Sequence, residues 1–213
     1  VPLMFTKLLA YEIRSRFRTD ARSFGAFIVT IAIASGFVAV GLPGISGFTT
    51  SFTYILCALT PVACAIAAMV DYWKTLYGQR GYFTMSLPVS GTAIFWAKIT
   101  RMVIECILAL ALALGGALAI ASAAAWSDGI SLAEYIAGPR SLVAGMPTST
   151  VVLMIAAQLI LAMSWGVQGC AVMSIGAQGR FNHMGFGAPI IGFVLVYIVN
   201  QVLSTVGTFF LPL

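Results

Sequence analysis

The chain has 213 residues, of which 61% are hydrophobic and 8% are charged, and its mean hydropathy is +1.03. Soluble globular domains carry about 25% charged residues, so this composition excludes that class. A bilayer core about 30 Å thick needs about 20 apolar residues for each helical crossing. The length therefore predicts one all-α membrane domain with five or six crossings and short loops.

The net charge of +5 does not indicate a nucleic-acid partner. The basic residues flank apolar runs and do not form a single basic face, which is the pattern that membrane topology produces. The cysteines lie inside apolar runs, where they behave as small apolar side chains and show neither disulfide nor zinc spacing. These cysteines are Cys57, Cys64, Cys106 and Cys170.

Residues 1–23 are predicted to form an interfacial elbow helix. Between Phe5 and Arg18 the apolar side chains fall on one helical arc and most basic ones fall on the opposite arc, which favours a helix lying in the membrane plane. The stretch lacks the compact apolar core of a cleavable signal peptide. Glu12 and Arg16 sit one turn apart within the apolar arc, so we expect them to pair with each other or with another part of the protein.

Five later runs are each long enough to cross the bilayer. Pro43 and Gly44 make the first connection a tight turn, so the first two spans should form an antiparallel hairpin. Spans one and two fall within 24–70 and spans three to five within 100–206, leaving 207–213 as the C-terminal end. The runs are Phe24 to Leu42, Thr50 to Val70, Thr100 to Trp126, Thr150 to Ser174 and Phe186 to Val206.

The distribution of basic residues predicts the orientation. With a cytoplasmic N-terminus, ten of the eleven lysines and arginines fall on the cytoplasmic side, and Arg140 falls outside with Asp128 and Glu134. This division obeys the positive-inside rule and predicts a multi-pass membrane protein with a cytoplasmic N-terminus. Five crossings place the C-terminus outside with no charged stop after it, and the alternative is a sixth span beyond the given sequence.

Residue types for catalysis are scarce. No glycine is followed directly by lysine, so the phosphate-binding loop of ATPases is absent. His183 is the single histidine, which favours a plain loop residue over a metal ligand or a proton carrier. We therefore expect no enzyme activity, no metal and no cofactor on this chain.

Residues 71–99, between spans two and three, are too polar to cross the membrane. Gly78 and Gly81 permit sharp bends, and Pro88 ends any helix before it. Ser90 or Thr92 is a candidate cap for the helix that becomes span three. The segment is predicted to be a short structured cytoplasmic element.

This segment resembles one found in the type-2 ABC transporter permease family, the membrane subunits of bacterial ABC exporters. Family members have an N-terminal elbow helix, then a Gly-acidic-x-Gly-Tyr stretch, Leu-Pro-Val-Ser, and a lysine that opens span three. The resemblance covers about the first 100 residues and is carried by Leu8, Leu9, Ala10, Tyr11 and Glu12, then by Gly78, Gly81, Tyr82, Leu87, Pro88, Val89, Ser90 and Lys98.

The resemblance implies a coupling helix that docks on a separate ABC ATP-binding subunit, which holds ATP and Mg. It also implies a bacterial cytoplasmic membrane and a second permease subunit, so that a homodimer or a heterodimer forms the path. Gln79 stands where the family often has Asp or Glu, so the contact is neutral or depends on Arg80. The alternative is an interfacial loop anchored by its aromatic rings. The coupling residues implied are Gly78, Gln79, Arg80, Gly81, Tyr82, Leu87 and Pro88.

Span three combines small residues with one acid. Alanines recur every four residues, which favours close helix packing, either within the chain or at a dimer seam. Glu105 lies one turn after Arg101, and pairing with it would lower the cost of a charge in the membrane. The alternative for Glu105 is a proton relay. The alanines are Ala109, Ala113, Ala117, Ala121 and Ala125.

Polar residues deeper in spans four and five are candidates for the lining of a path. Uncharged amides suit an amphiphilic or peptide-like passenger, and hydrogen bonding between helices explains them equally well. The candidates are Gln158, Trp165, Gln168, Asn200 and Gln201.

The sequence thus favours the membrane-spanning permease subunit of an ATP-driven exporter. One alternative is an ATP-independent secondary transporter, although the chain shows no clear internal repeat. A second alternative is a membrane anchor for another complex.

Overall fold

A computed structural model gives the fold of this chain. It describes residues 2–42, 44–78, 81, 86, 89–185 and 187–210, and within them it leaves out the side chains of residues 2–4, 142, 143, 158, 159, 162, 180, 182, 183 and 210. The chain forms two compact units, which are described separately below. The first comprises Val1–Ala68 with Ser90–Leu159, and the second comprises Met69–Val89 with Ile160–Leu213.

The described part of the chain is helical, and no strand occurs in it. Spans two, three and four each lie within one long helix, span one begins in a long helix and extends three residues past its end, and the described part of span five lies within another. Short helices occupy two connections. The helices are α1 (Pro2–Ala39), α2 (Ile45–Leu76), α3 (Gly91–Ser127), α4 (Leu132–Tyr135), α5 (Ala137–Ala144), α6 (Thr148–Gly176) and α7 (Gly187–Phe210), with a 3-10 helix (Gly179–Met184) before α7.

Helix α1 differs from the prediction of a separate elbow helix followed by a span. It is one helix of 38 residues, about 57 Å long at 1.5 Å per residue, and it has no break between the elbow segment and span one. The i,i+4 ladder continues because no proline or glycine lies between Pro2 and Gly25 to interrupt it. The orientation of its first turns relative to a membrane remains a prediction.

Among the residues described, α1, α2, α3 and α7 are long and apolar enough to cross a membrane. The chain is therefore a multi-pass membrane protein. Helix α6 has 29 residues, about 44 Å, which also exceeds the thickness of a bilayer core. Three side chains inside α6 fall outside the description, so five crossings remain a prediction.

The first unit is organised by the directions of α1, α2 and α3. Ile31 packs with Cys57, and Val38 packs with Tyr54, so residues later in α1 contact residues earlier in α2. This antiparallel arrangement confirms the predicted hairpin, and Gly41 and Gly44 in its turn have φ of 70° and 80°, values that favour glycine.

Helices α1 and α3 run parallel. Glu12 contacts Lys98 near one end of the pair, and Val38 packs with Ile120 near the other. The two contacts are about 39 Å apart along α1, a distance that exceeds the bilayer core. The N-terminal part of α1 and the start of α3 therefore lie at the same end of this unit, and Tyr135 of α4 packs at the opposite end.

The alanine ladder of α3 forms an intrachain packing surface, as one of the two alternatives predicted. Ala109, Ala113, Ala121 and Ala125 are buried. Beside them, a Cβ atom on Gly116 would lie 3.1 Å from Cys57 Sγ and 3.3 Å from Ile31 Cδ1, whereas a Cβ on Gly115 would meet nothing within 4 Å. Small residues thus allow α1 and α2 to approach α3 closely.

Replacing Gly116 with leucine is expected to destabilise the protein by about 2 kcal/mol, because added atoms overpack a close contact. Gly115→Leu is the matched control at the neighbouring position and should be neutral or slightly stabilising, since leucine favours helix over glycine. Unfolding in mixed micelles, followed by circular dichroism, measures both changes. Equal effects of the two substitutions would contradict this packing.

Arg140 lies exposed on α5, and we expect it to face the outside, with Arg80 and Arg180 facing the cytoplasm. Single cysteines at these positions, in a chain whose native cysteines are replaced by alanine, can be labelled with a membrane-impermeant maleimide. Intact cells should label position 140 and leave positions 80 and 180 unlabelled until the membrane is permeabilised. Labelling of 80 or 180 from outside would reverse the orientation.

The second unit holds α7 against the C-terminal part of α6 through small residues. A Cβ on Gly176 would lie 2.8 Å from Pro189 Cδ, and a Cβ on Gly192 would lie 2.5 Å from Val172 Cγ1. The hydroxyl groups of Tyr72, at the end of α2, and Ser174 are 2.6 Å apart. Close packing and hydrogen bonds hold these helices together, because lipid provides no hydrophobic driving force between helices.

Candidate functional site

A buried ion pair joins α1 to α3 in the first unit. The Lys98 ammonium donates to both carboxylate oxygens of Glu12 at 3.0 Å. Only 3% of Lys98 and 7% of Glu12 are exposed, so each charge depends on the other for the stabilisation that water would otherwise supply. The pair therefore anchors the N-terminal part of α1 to the start of α3.

A second buried pair lies one turn further along α3. Arg101 Nη1 donates to Glu105 Oε1 at 2.8 Å, and both residues are buried. This confirms the pairing predicted from their i,i+4 spacing. Because Lys98, Arg101 and Glu105 are three and four residues apart, they share one face of the helix.

On α1 the matching face carries Glu12, Arg16 and Asp20, also at intervals of four residues. Arg16 Nε lies 3.4 Å from Asp20 Oδ1, and Arg16, Asp20 and Glu105 line one cavity between the helices. Glu12 and Arg16 were predicted to pair with each other or with another part of the protein. In the structure Glu12 contacts Lys98 of α3, and Arg16 contacts Asp20 on its own helix. The six side chains form the α1–α3 charge network: Glu12, Arg16, Asp20, Lys98, Arg101 and Glu105.

The α1–α3 charge network contains three acids and three bases, so its formal charge is zero. It also contains half of the six acids in the chain. Removing one partner of a buried pair is costly because it leaves an uncompensated charge. The network can therefore hold α1 and α3 in one register.

The predicted coupling segment is described only in part. Gln79, Arg80, Tyr82, Leu87 and Pro88 lie outside the described residues. The described backbone forms a tight turn after α2, in which Gly78 N–H donates to Trp73 O at 3.1 Å and Gly81 N–H donates to Gly78 O at 2.9 Å.

Gly78 lies at a bend in the backbone, as predicted, and Gly81 closes the turn that follows it. Close approach of the backbone adds a second reason for glycine at both positions. A Cβ on Gly78 would lie 2.6 Å from Lys74 O, and a Cβ on Gly81 would clash with Leu76 O and lie 2.7 Å from Leu76 C. Glycine is required here because the backbone folds back onto the end of α2 too closely for any side chain.

The candidates for a path lining have mixed outcomes. In the second unit Asn200 Nδ2 donates to Gln168 Oε1 at 2.8 Å. Hydrogen bonding between helices was one of the two roles predicted for these residues. Trp165 and Gln201 are exposed, and the side chain of Gln158 lies outside the description. Gln168 and Asn200 thus hold α6 and α7 together.

Sequence reasoning missed the link between Glu12 and Lys98 and the part that Asp20 plays. A signal for Glu12 was present, because an acid on the apolar arc of a membrane helix needs a cation nearby. Asp20 extends the i,i+4 series of Glu12 and Arg16. Nothing local indicated which of the eleven basic residues Glu12 would bind.

Among the described residues, no three His, Cys, Asp or Glu side chains converge as metal ligands. The four cysteines are free thiols. Comparison with known proteins found no matching family model, no matching curated protein and no matching solved structure.

Proposed function

We propose that this chain is the membrane-spanning permease subunit of an ATP-driven ABC exporter of the type-2 permease family. The observation that supports it is the buried ion pair between Glu12 and Lys98. Glu12 belongs to the elbow stretch of the resemblance, and Lys98 is the lysine that opens span three. Two elements that resemble the family at separate places in the sequence therefore meet in the fold.

The pair also suggests how a partner subunit would act on the spans. Lys98 follows the coupling segment within two turns of α3, so a force on that segment reaches Lys98 through a continuous helix. The ion pair then passes the displacement to α1, and the parallel α1 and α3 move as one body. ATP and Mg belong to the ATP-binding subunit, and a second permease subunit, identical or homologous, completes the path.

Copurification tests the proposed function. The tagged chain, expressed from its native locus and extracted in mild detergent, should bring down a protein with a phosphate-binding loop, identified by mass spectrometry. The complex should hydrolyse ATP in proteoliposomes. Purification of the intact folded chain without any such protein, after chemical crosslinking in cells, would contradict the proposal.

A secondary transporter is the second candidate, and it is favoured by two acids, Asp20 of α1 and Glu105 of α3, that line one cavity. Acids in the interior of a helical membrane protein are a common feature of proton- and cation-coupled transport. In that case a proton gradient alone would drive uptake or release by the purified chain in proteoliposomes. An exporter of the proposed kind would need ATP and its partner subunit.

A further inference from the structure

A cavity of about 310 Å³ lies between α1, α2 and α3 in the first unit. This volume is at the lower end of the range for small-molecule sites. The α1 side of its lining extends from Arg16 to Phe27, about 17 Å along the helix axis. The cavity is therefore elongated along the direction in which lipid chains and amphiphiles lie.

The lining is polar at one end and apolar along the rest. Arg16, Asp20 and Glu105 form the polar end, where the α1–α3 charge network borders the cavity, and Phe24, Phe27 and Ala67 are among the apolar residues. A ligand that fits both parts has a small polar head and a hydrocarbon chain.

The charges of the lining select the sign of that head. Two carboxylates and one guanidinium line the cavity and give its lining a formal charge of −1. Arg101, which pairs with Glu105, does not line it. Each carboxylate has about four acceptor sites, so the contact of Asp20 with Arg16 and that of Glu105 with Arg101 leave others to fill. Two carboxylates that line one cavity favour a cation over an anion between them.

We propose that this cavity binds the ammonium head of an alkylamine between Asp20 and Glu105, with the alkyl chain along Phe24 and Phe27. An ammonium group supplies three N–H donors for the carboxylate oxygens, and an aromatic face stabilises a nearby cation. A bare metal ion fits less well, because the described residues offer no group of three ligands. The site does not depend on an ATPase partner.

Photo-crosslinking of the purified full chain in phosphatidylcholine vesicles tests the site. The probes are a dodecylammonium, a dodecanol and a dodecyl sulfate, each with the same diazirine on the alkyl chain. The ammonium probe should label the peptides containing residues 16–27 or 60–67 at least tenfold more than the alcohol does, a ratio equivalent to about 1.4 kcal/mol. The sulfate should label them least.

Two variants separate the head group from the cavity. Asp20→Asn should lower ammonium labelling to the level of the alcohol, and Asp128→Asn, an exposed acid in the same unit, is the matched control and should change nothing. Ala63→Phe fills the cavity, keeps its charges and should also abolish the labelling. Equal labelling by the three probes would mean that the cavity holds a hydrocarbon chain only. That result, or full ammonium labelling in both cavity variants, would overturn the proposal.

Discussion

Replacing Lys98 with methionine is expected to destabilise the protein by about 3–5 kcal/mol, because the substitution leaves the Glu12 carboxylate buried without its cation. Only 2% of the Lys98 side chain and 9% of the Glu12 side chain are exposed, so water cannot replace the lost partner. Lys7→Met removes an exposed lysine of α1 and should stay within about 0.5 kcal/mol of the parent.

Removing both charges of the pair should restore the stability that the single substitution loses. The double variant Glu12→Leu with Lys98→Met removes both charges and should recover most of the lost stability, since apolar residues often replace a buried ion pair without loss. Unfolding in mixed micelles gives the four free energies of a double-mutant cycle. Additive effects of the two substitutions would show that the two side chains are not coupled and would remove the support for the proposed transmission from α3 to α1.

Replacing Gly81 with valine is expected to abolish the proposed coupling to an ATPase while the spans stay folded. The added side chain would clash with the carbonyl group of Leu76, so the turn that leads into the coupling segment must open. Copurification of the ATPase and passenger-stimulated ATP hydrolysis in proteoliposomes should both fall by at least tenfold. Helix content, measured by circular dichroism, should remain at the parent level.

The matched control is Gly91→Val, since a Cβ on Gly91 meets nothing within 4 Å. It makes the same substitution ten residues later and should preserve both assembly and hydrolysis. Arg80→Glu tests an electrostatic contact with the partner, because it reverses the sign of the charge that the segment presents. If Gly81→Val and Arg80→Glu both retain assembly and stimulated hydrolysis, the segment does not dock on an ATPase.

Several local features could be predicted from the sequence. Runs of about 20 apolar residues must bury their backbone polar groups in helices, and a long helix covers most of each predicted span. Ser90 caps α3 and accepts a hydrogen bond from Ala93 N–H at 3.4 Å, one of the two caps expected. The i,i+4 pair of Arg101 and Glu105 was also predicted, since four residues make one helical turn.

The candidate site was predicted less completely. The two glycines of the coupling segment were predicted for the bend alone, because steric clash between a side chain and the carbonyl group of an earlier residue cannot be read from the sequence. Gln168 and Asn200 were found as polar residues within spans, but the sequence could not tell a path lining from a hydrogen bond between helices. That choice depends on which faces of α6 and α7 meet.

The sequence by itself determined that this chain crosses a membrane and that its apolar runs are helical, because these properties follow from composition and helical period. Only the tertiary structure decided that Glu12 binds Lys98 from 86 residues away and that Asp20 and Glu105 line one cavity. A buried charge takes whichever partner the packing of helices brings within about 3 Å, and that packing depends on the shapes of whole helix faces.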